Sequence, residues 1–255
     1  MRLEKKVCLI TGSSMGIGES IAERFAEEGA IVLINSRSSE RTNGVVESLK
    51  AKGFTDVDGF PCDISKKDAV AAMMKDIVAK YGRIDVVVNN AGINKIAPST
   101  ELSAEDYKAV LDTNLCGSLY CAQEAAKFMI NQKSGSIVNV ASVFGLVCTG
   151  MRAAYSSSKS GVIGLTKVLA VEWGKDNVRV NSVAPAYIRS AMDDQDQAAG
   201  GYTEADICRR TPMARYGTGR EVANVVLFLA SDEASYVTGT CYEVDGGWVA
   251  FGGWC

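Results

Sequence analysis

The 255-residue sequence predicts an α/β fold, one doubly wound parallel sheet of about seven strands with helices on both faces. Three observations carry that expectation. Short apolar runs alternate with helical patterns four times in the first ninety residues, the rhythm of right-handed strand–helix–strand crossovers. The first strand runs at once into a glycine-rich turn and a helix, Gly12-Ser13-Ser14-Met15-Gly16-Ile17-Gly18. The fourth strand ends in Asn89-Asn90-Ala91-Gly92, a polar turn at the C-terminal strand end, where open parallel sheets take their ligands.

Taken in order, Val7 to Thr11 reads as a short buried strand, and Ile17, Ile21 and Phe25 recur every fourth residue in the helix behind it. Strand, glycine turn and helix together present backbone N–H groups and a helix N-terminus to a pyrophosphate. Ile31 to Asn35 is the second strand, followed by Ser36 and Arg37. A carboxylate at that point binds the 2′-hydroxyl of an adenine ribose, whereas an arginine accommodates a 2′-phosphate. Ser36 with Arg37 therefore points to NADP, and NAD remains the alternative if Arg37 is a solvated loop residue. Val57 to Pro61 leads to Cys62-Asp63-Ile64, where Asp63 could read the adenine amine or simply open a turn. A helix over Lys66 to Tyr81 and a strand over Asp85 to Val88 follow.

Ser103 to Met129 reads as one long helix with Ser103 as its N-cap, but Asn114 and Cys116-Gly117 interrupt its middle and predict a kink or a functional contact. Ser136 to Val140 is the fifth strand and delivers Ser142 beyond its end. A helix over Tyr155 to Trp173 and a strand over Arg179 to Val183 come next. Residues 190–215, with Asp193-Asp194-Gln195-Asp196, are the least patterned stretch and read as a mobile lid. A helix over Glu221 to Ala230 and a strand over Cys241 to Val244 complete one domain spanning residues 1–255.

Composition removes several function classes. The net charge of −3 gives no general attraction to nucleic acid or an anionic membrane. No apolar run of about 18 residues is present, and Met1-Arg2-Leu3-Glu4-Lys5-Lys6 runs straight into a strand, so the expectation is a soluble cytoplasmic protein. The eight cysteines lack metal-ligand or redox-pair spacing and read as small hydrophobes. The absence of histidine rules out histidine triads and histidine-ligated zinc; no metal site is expected. Acid–base work falls to Tyr, Lys, Cys or carboxylates.

Tyr155 and Lys159 would stand one helical turn apart on one face. A tyrosine hydroxyl has a reference pKa of about 10, and an ammonium about 4 Å away favours its phenolate by up to roughly 4 kcal/mol at an effective dielectric near 20. A tyrosine so tuned can exchange a proton with a carbonyl or alcohol oxygen, and Ser142 can hold that oxygen by a hydrogen bond. The same spacing also arises on an ordinary packed or solvated helix face.

Together, Thr11-Gly12-x-x-x-Gly16-Ile17-Gly18, Asn89-Asn90-Ala91-Gly92 and the set Asn114, Ser142, Tyr155 and Lys159 resemble the short-chain dehydrogenase/reductase family over essentially the whole chain. The resemblance implies a Rossmann-type fold, a homotetramer, and hydride transfer between NADP(H) and a small carbonyl or secondary-alcohol substrate. It makes Tyr155 the general acid/base and has Lys159 hold the nicotinamide ribose while lowering the tyrosine pKa. Ser142 would orient the substrate oxygen and Asn114 would position a water. The cofactor would lie along Gly12, Ser14, Gly16, Ile17, Gly18, Ser36, Arg37, Asp63, Ile64, Asn90, Ala91, Gly92, Tyr155 and Lys159. Pro185, Ile188 and Ser190 would sit near its carboxamide. Ala186 stands where the family usually has glycine, which would restrict that turn. A non-catalytic dinucleotide-binding or regulatory protein on the same fold is the competing reading. Steroid, sugar or polyol, and acyl-thioester substrates all remain open. The C-terminal Trp248, Phe251 and Trp254 are expected to dock at a subunit contact rather than hang in water.

Overall fold

The computed structural model describes residues 1–189, 197 and 202–252. Its strands are β1 (Val7–Ile10), β2 (Ile31–Ile34), β3 (Val57–Gly59), β4 (Val86–Asn89), β5 (Gly135–Val140), β6 (Val178–Pro185) and β7 (Cys241–Val244). They form one sheet in the order β3-β2-β1-β4-β5-β6-β7, parallel throughout. The chain winds outward from β1 to β3 and then returns to place β4 on the other side of β1. That reversal opens a crevice above the C-terminal ends of β1 and β4.

The helices are α1 (Gly16–Glu27), α2 (Ser39–Ala51), α3 (Lys67–Tyr81), α4 (Ala104–Leu111), α5 (Gly117–Gln132), α6 (Ala153–Trp173), α7 (Glu204–Arg210) and α8 (Gly219–Ala230). Strand side chains alternate between two cores, as a period of two requires. Cys8 and Ile10 pack with Phe25 of α1, Leu49 of α2 and Val226 of α8. Val7 and Leu9 pack on the opposite face with Ile77 of α3, Ala125 of α5 and Leu169 of α6. A sheet covered on both faces explains why its strands read as continuous apolar runs.

Two elements differ from the sequence expectation, and a third gives the interruption it expected a definite form. The periodicity did not announce α2, whose face buries only Thr42, Val45, Val46 and Leu49 and whose start depends on Ser38 accepting from Arg41 N. The long helix over 103–129 is broken into α4 and α5 by a π-helical turn at Asp112–Cys116, where Asn114 sits. The segment read as unpatterned contains α7, started by a capping box between Thr203 and Asp206. The acidic cluster at 193–196 lies outside the described residues.

Candidate active site

Thr11, just beyond β1, ties the two halves of the crevice together. Its hydroxyl accepts from Asn90 N and Ala91 N at 3.0 and 3.1 Å, while Asn90 Nδ2 donates to the carbonyls of Thr11 and Gly12. Gly12 has φ +63° and packs so closely that an added Cβ would lie 2.6 Å from Ala91 Cα. A Cβ on Gly18 would lie 2.5 Å from both Asn90 Nδ2 and Gly12 O. These glycines let α1 approach the sheet. No side chain caps α1 at Met15, and Gly16, Ile17 and Gly18 line the cleft. The uncapped N–H groups of the first turn are therefore disposed toward an anion in the cleft, which fits a pyrophosphate.

At the end of β2, the Ser36 hydroxyl is used inside the loop, donating to Ser38 O at 2.9 Å and contacting Thr42 Oγ1. What the position offers a cofactor is the absence of a carboxylate. Arg37 lines the cleft, and so does Arg41 from the first turn of α2. Both are exposed, and neither forms an ion pair among the described residues. Two unclaimed guanidiniums beside a helix start fit a ribose 2′-phosphate. Asp63 and Ile64 form the wall after β3. One Asp63 oxygen closes a turn by accepting from Ser65 N and Oγ, so the turn-opening reading of this acid holds even though it faces the cleft.

The residues expected to handle the proton meet across β5, α6 and the π turn. Lys159 is 5% exposed, its Nζ donates to Val140 O at 2.7 Å, and it lies 5.6 Å from the centre of the Tyr155 ring. Burial pushes the Lys159 ammonium down to about 8. Ser142, beyond β5, accepts from Phe144 N at 3.2 Å and lines the cleft with Tyr155 and Lys159. Asn114 stands behind them. It accepts from Ile93 N and donates to Ile93 O and to Ser158 Oγ, and Ser158 in turn donates to Tyr155 O at 2.7 Å. The π turn presents this amide in the middle of a helix pair, a common use of such turns. Gly92 abuts the group: an added Cβ would come within 3.3 Å of Asn114 Oδ1 and 3.6 Å of Lys159 Nζ.

The remaining wall is aromatic. Tyr187 packs against Phe144, Tyr202, Tyr216 and Trp248 with ring centres 5.0–6.3 Å apart. Arg210 of α7 lies over both Trp248 and Phe251 and donates to Trp248 O. The described part of the C-terminal segment thus packs on its own chain, beside the cleft. Trp254 lies outside the described residues. Pro185 and Ile188 line the same region, and Ala186 avoids the positive φ that would strain it.

The cleft measures about 490 Å³. Every residue expected in it lines it except Asn114, which stands behind, and Ser190, which falls outside the described residues. Sequence reasoning missed Arg41, Ser158 and the aromatic wall. Arg41 was findable once α2 was recognised, because the first turn after Ser38 must return toward the β2 end. The aromatic wall joins residues too far apart in sequence to signal one another.

Comparison with known proteins agrees with this geometry. A family model described as enoyl-(acyl carrier protein) reductase matches residues 12–249. The chain is 43% identical over 250 residues to a 3-oxoacyl-[acyl-carrier-protein] reductase of Thermotoga maritima, covering 98% of this chain and all of that one. It is 39% identical to the (2S)-[(R)-hydroxy(phenyl)methyl]succinyl-CoA dehydrogenase subunit BbsD of Thauera aromatica, over 99% of this chain and 100% of that one. Among solved structures, a gluconate 5-dehydrogenase of Burkholderia cenocepacia in complex with NADP and tartrate superposes with a TM-score of 0.93. That protein is 32% identical, with 98% of this chain and 97% of that one covered.

Proposed function

Because the chain belongs to the short-chain dehydrogenase/reductase family, we propose that it interconverts a carbonyl and a secondary alcohol with NADP(H) as hydride carrier. One observation carries this reading. Tyr155, Lys159 and Ser142 line the same cleft as an uncapped helix N-terminus and the Arg37–Arg41 pair. When bound, the reduced cofactor supplies a hydride to the carbonyl carbon. Tyr155 gives a proton to the oxygen as negative charge develops there, and takes it back in the reverse direction. Ser142 holds that oxygen by a hydrogen bond. Lys159 stabilises the tyrosinate electrostatically, and its position is fixed by Val140 O. Asn114 and Ser158 hold the carbonyl of Tyr155 and thereby set the start of α6.

The named relatives act on a 3-oxoacyl carrier, an acyl-CoA and gluconate. A carbonyl or secondary alcohol is common to all three, and is the substrate class proposed here. We also propose a single-domain cytoplasmic enzyme that assembles as a homotetramer. The exposed Val168 and Val171 of α6 support the assembly. No helix among the described residues is long and apolar enough to cross a membrane.

The test follows reduced-nicotinamide absorbance across a panel of carbonyls and secondary alcohols with both cofactors. Turnover preferring NADPH and lost in Tyr155→Phe is expected. Tight NADPH binding with no turnover of any member would favour the non-catalytic dinucleotide-binding reading.

A further inference from the structure

We infer that the C-terminal segment selects substrates by size: Trp248, which does not line the cleft, holds the Tyr187 ring in the position that bounds it. The inference rests on the oxidoreductase reading above and names a determinant of which carbonyl compounds that site admits. Tyr187 follows the end of β6 by two residues and lines the cleft together with Phe144 and Tyr202. With Ala186 it also lines a second cavity of about 490 Å³, which continues past Met213, Glu243 and Gly247. The ring is therefore a partition between two spaces rather than the face of a close-packed core. A partition keeps its place through the few groups that press on it, because dispersion contacts are forfeited wherever a neighbour is lacking.

Two rings press on Tyr187 without lining the cleft, Trp248 with centres 5.0 Å apart and Tyr216 at 6.3 Å. Trp248 is the nearer, and it is itself fixed. Arg210 lies 4.7 Å from the Trp248 ring and donates to Trp248 O at 3.0 Å, while the same guanidinium lies 5.1 Å from the Phe251 ring. The Asp245 carboxylate accepts from Gly247 N and Val249 N, both at 2.8 Å, which closes the turn that carries the tryptophan. Met213 N donates to Gly246 O and ties that turn to the segment after α7.

These contacts form a closed circuit. Tyr187 meets Tyr202 and Trp248 at the same 5.0 Å. Tyr202 stands just before α7, and Arg210 at the other end of α7 holds Trp248. One edge of the cleft is thus set from behind by residues that need never touch a substrate. In an apolar pocket a single methylene is worth roughly 10- to 200-fold in discrimination, so a small displacement of the Tyr187 ring is enough to change which substrates fit. Trp248 is a positioning residue in this scheme, and Tyr187 is the surface through which it acts.

The experiment uses the NADP⁺-loaded protein and a graded series of ketones, from butanone to cyclohexyl and aryl ketones, with binding by calorimetry and turnover of the same ketones measured with NADPH. Size selectivity is read as the ratio of affinities for the bulkiest and smallest members. Trp248→Ala should shift that ratio roughly 10-fold or more toward the bulkier ketones, with the NADP⁺ dissociation constant unchanged. Trp248→Phe should restore most of the wild-type ratio. Arg210→Met should shift it the same way by less, and serves in place of Trp248→Ala if that variant does not fold. In a Tyr187→Ala background, Trp248→Ala should leave the ratio where it was, the mark of an effect passed through that ring. A uniform loss of affinity across the series, with the ratio unchanged, would make Trp248 structural only and overturns the inference. So does an equal shift in both backgrounds, or failure of every ketone to bind. If the ratio shifts as expected but no ketone is reduced, the oxidoreductase reading fails while the selectivity role stands.

Discussion

At the dinucleotide end of the cleft the walls are mostly backbone: Gly12 pressed on Ala91, Gly18 on Asn90, and the bare N–H groups at the start of α1. At the far end they are large side chains, Phe144, Tyr187 and Tyr202, with Trp248 packed behind Tyr187, drawn from four separate segments. The first surface is fixed by short-range geometry and admits few residue types. The second can be re-lined one side chain at a time without moving the sheet. The proposed catalytic group sits on the seam, where β5 and α6 bring Ser142, Tyr155 and Lys159 together.

The largest effect expected is on that seam. Tyr155→Phe should lower turnover by roughly 10²- to 10⁴-fold, the usual worth of a general acid–base group, with NADPH affinity retained. Single-turnover rates and fluorescence titration of the cofactor would check both halves of this expectation; retained turnover would break the division between binding and chemistry. Next comes the β2 end. Arg37→Ala should weaken NADPH by roughly 10- to 150-fold and spare NADH. Arg41→Ala should do the same, and Ser36→Asp should tilt preference toward NADH. Equal affinity of the unchanged protein for the two cofactors would remove the phosphate site from the comparison.

Gly18→Ala probes the backbone surface directly. Its Cβ would meet Gly12 O and Asn90 Nδ2 at 2.5 Å, so a loss of about 1–3 kcal/mol in urea unfolding is expected, together with weaker cofactor binding. Lys159 gives a pH signature. Its folded pKa of about 8 lies below the ordinary 10.5, so between those values the folded chain binds fewer protons than the unfolded one. Stability contributed by this group therefore rises with pH across that window, by at most about 1.4 kcal/mol per pH unit, and is flat below it. Cofactor-free protein compared with Lys159→Met in urea at pH 7.5 and 9.5 should show the wild type gaining on the variant. The smallest effect belongs to the aromatic end: Arg210→Met removes the cation lying over Trp248 and Phe251 and should cost about 1 kcal/mol, read as a lower melting temperature.

The same division explains what could be read from sequence. The glycine turn, Asn89-Asn90-Ala91-Gly92 and the Tyr155–Lys159 pair are local patterns whose chemistry demands certain residues at certain spacings, so the doubly wound parallel sheet and most of the cleft were legible. The role of Arg41 was hidden because α2 buries a weak apolar face and owes its start to a serine cap. The Tyr187 cluster was hidden because nothing at residue 144 constrains residue 248. Ser36 was identified for its position, and the structure assigns its hydroxyl to the loop instead.

The π turn at Asp112–Cys116 also has a meaning for how such a protein can change over generations. A π turn closes i to i+5 and so holds one residue more than the α turn it replaces. Loss of a single codon there would let α4 and α5 join as one regular helix. Asn114 would then rotate off Ile93 and Ser158, and the start of α6 would lose its tether. The glycine turn, the arginine pair and both hydrophobic cores would be untouched. Descendants that still bind a dinucleotide but no longer turn it over are therefore one in-frame deletion away.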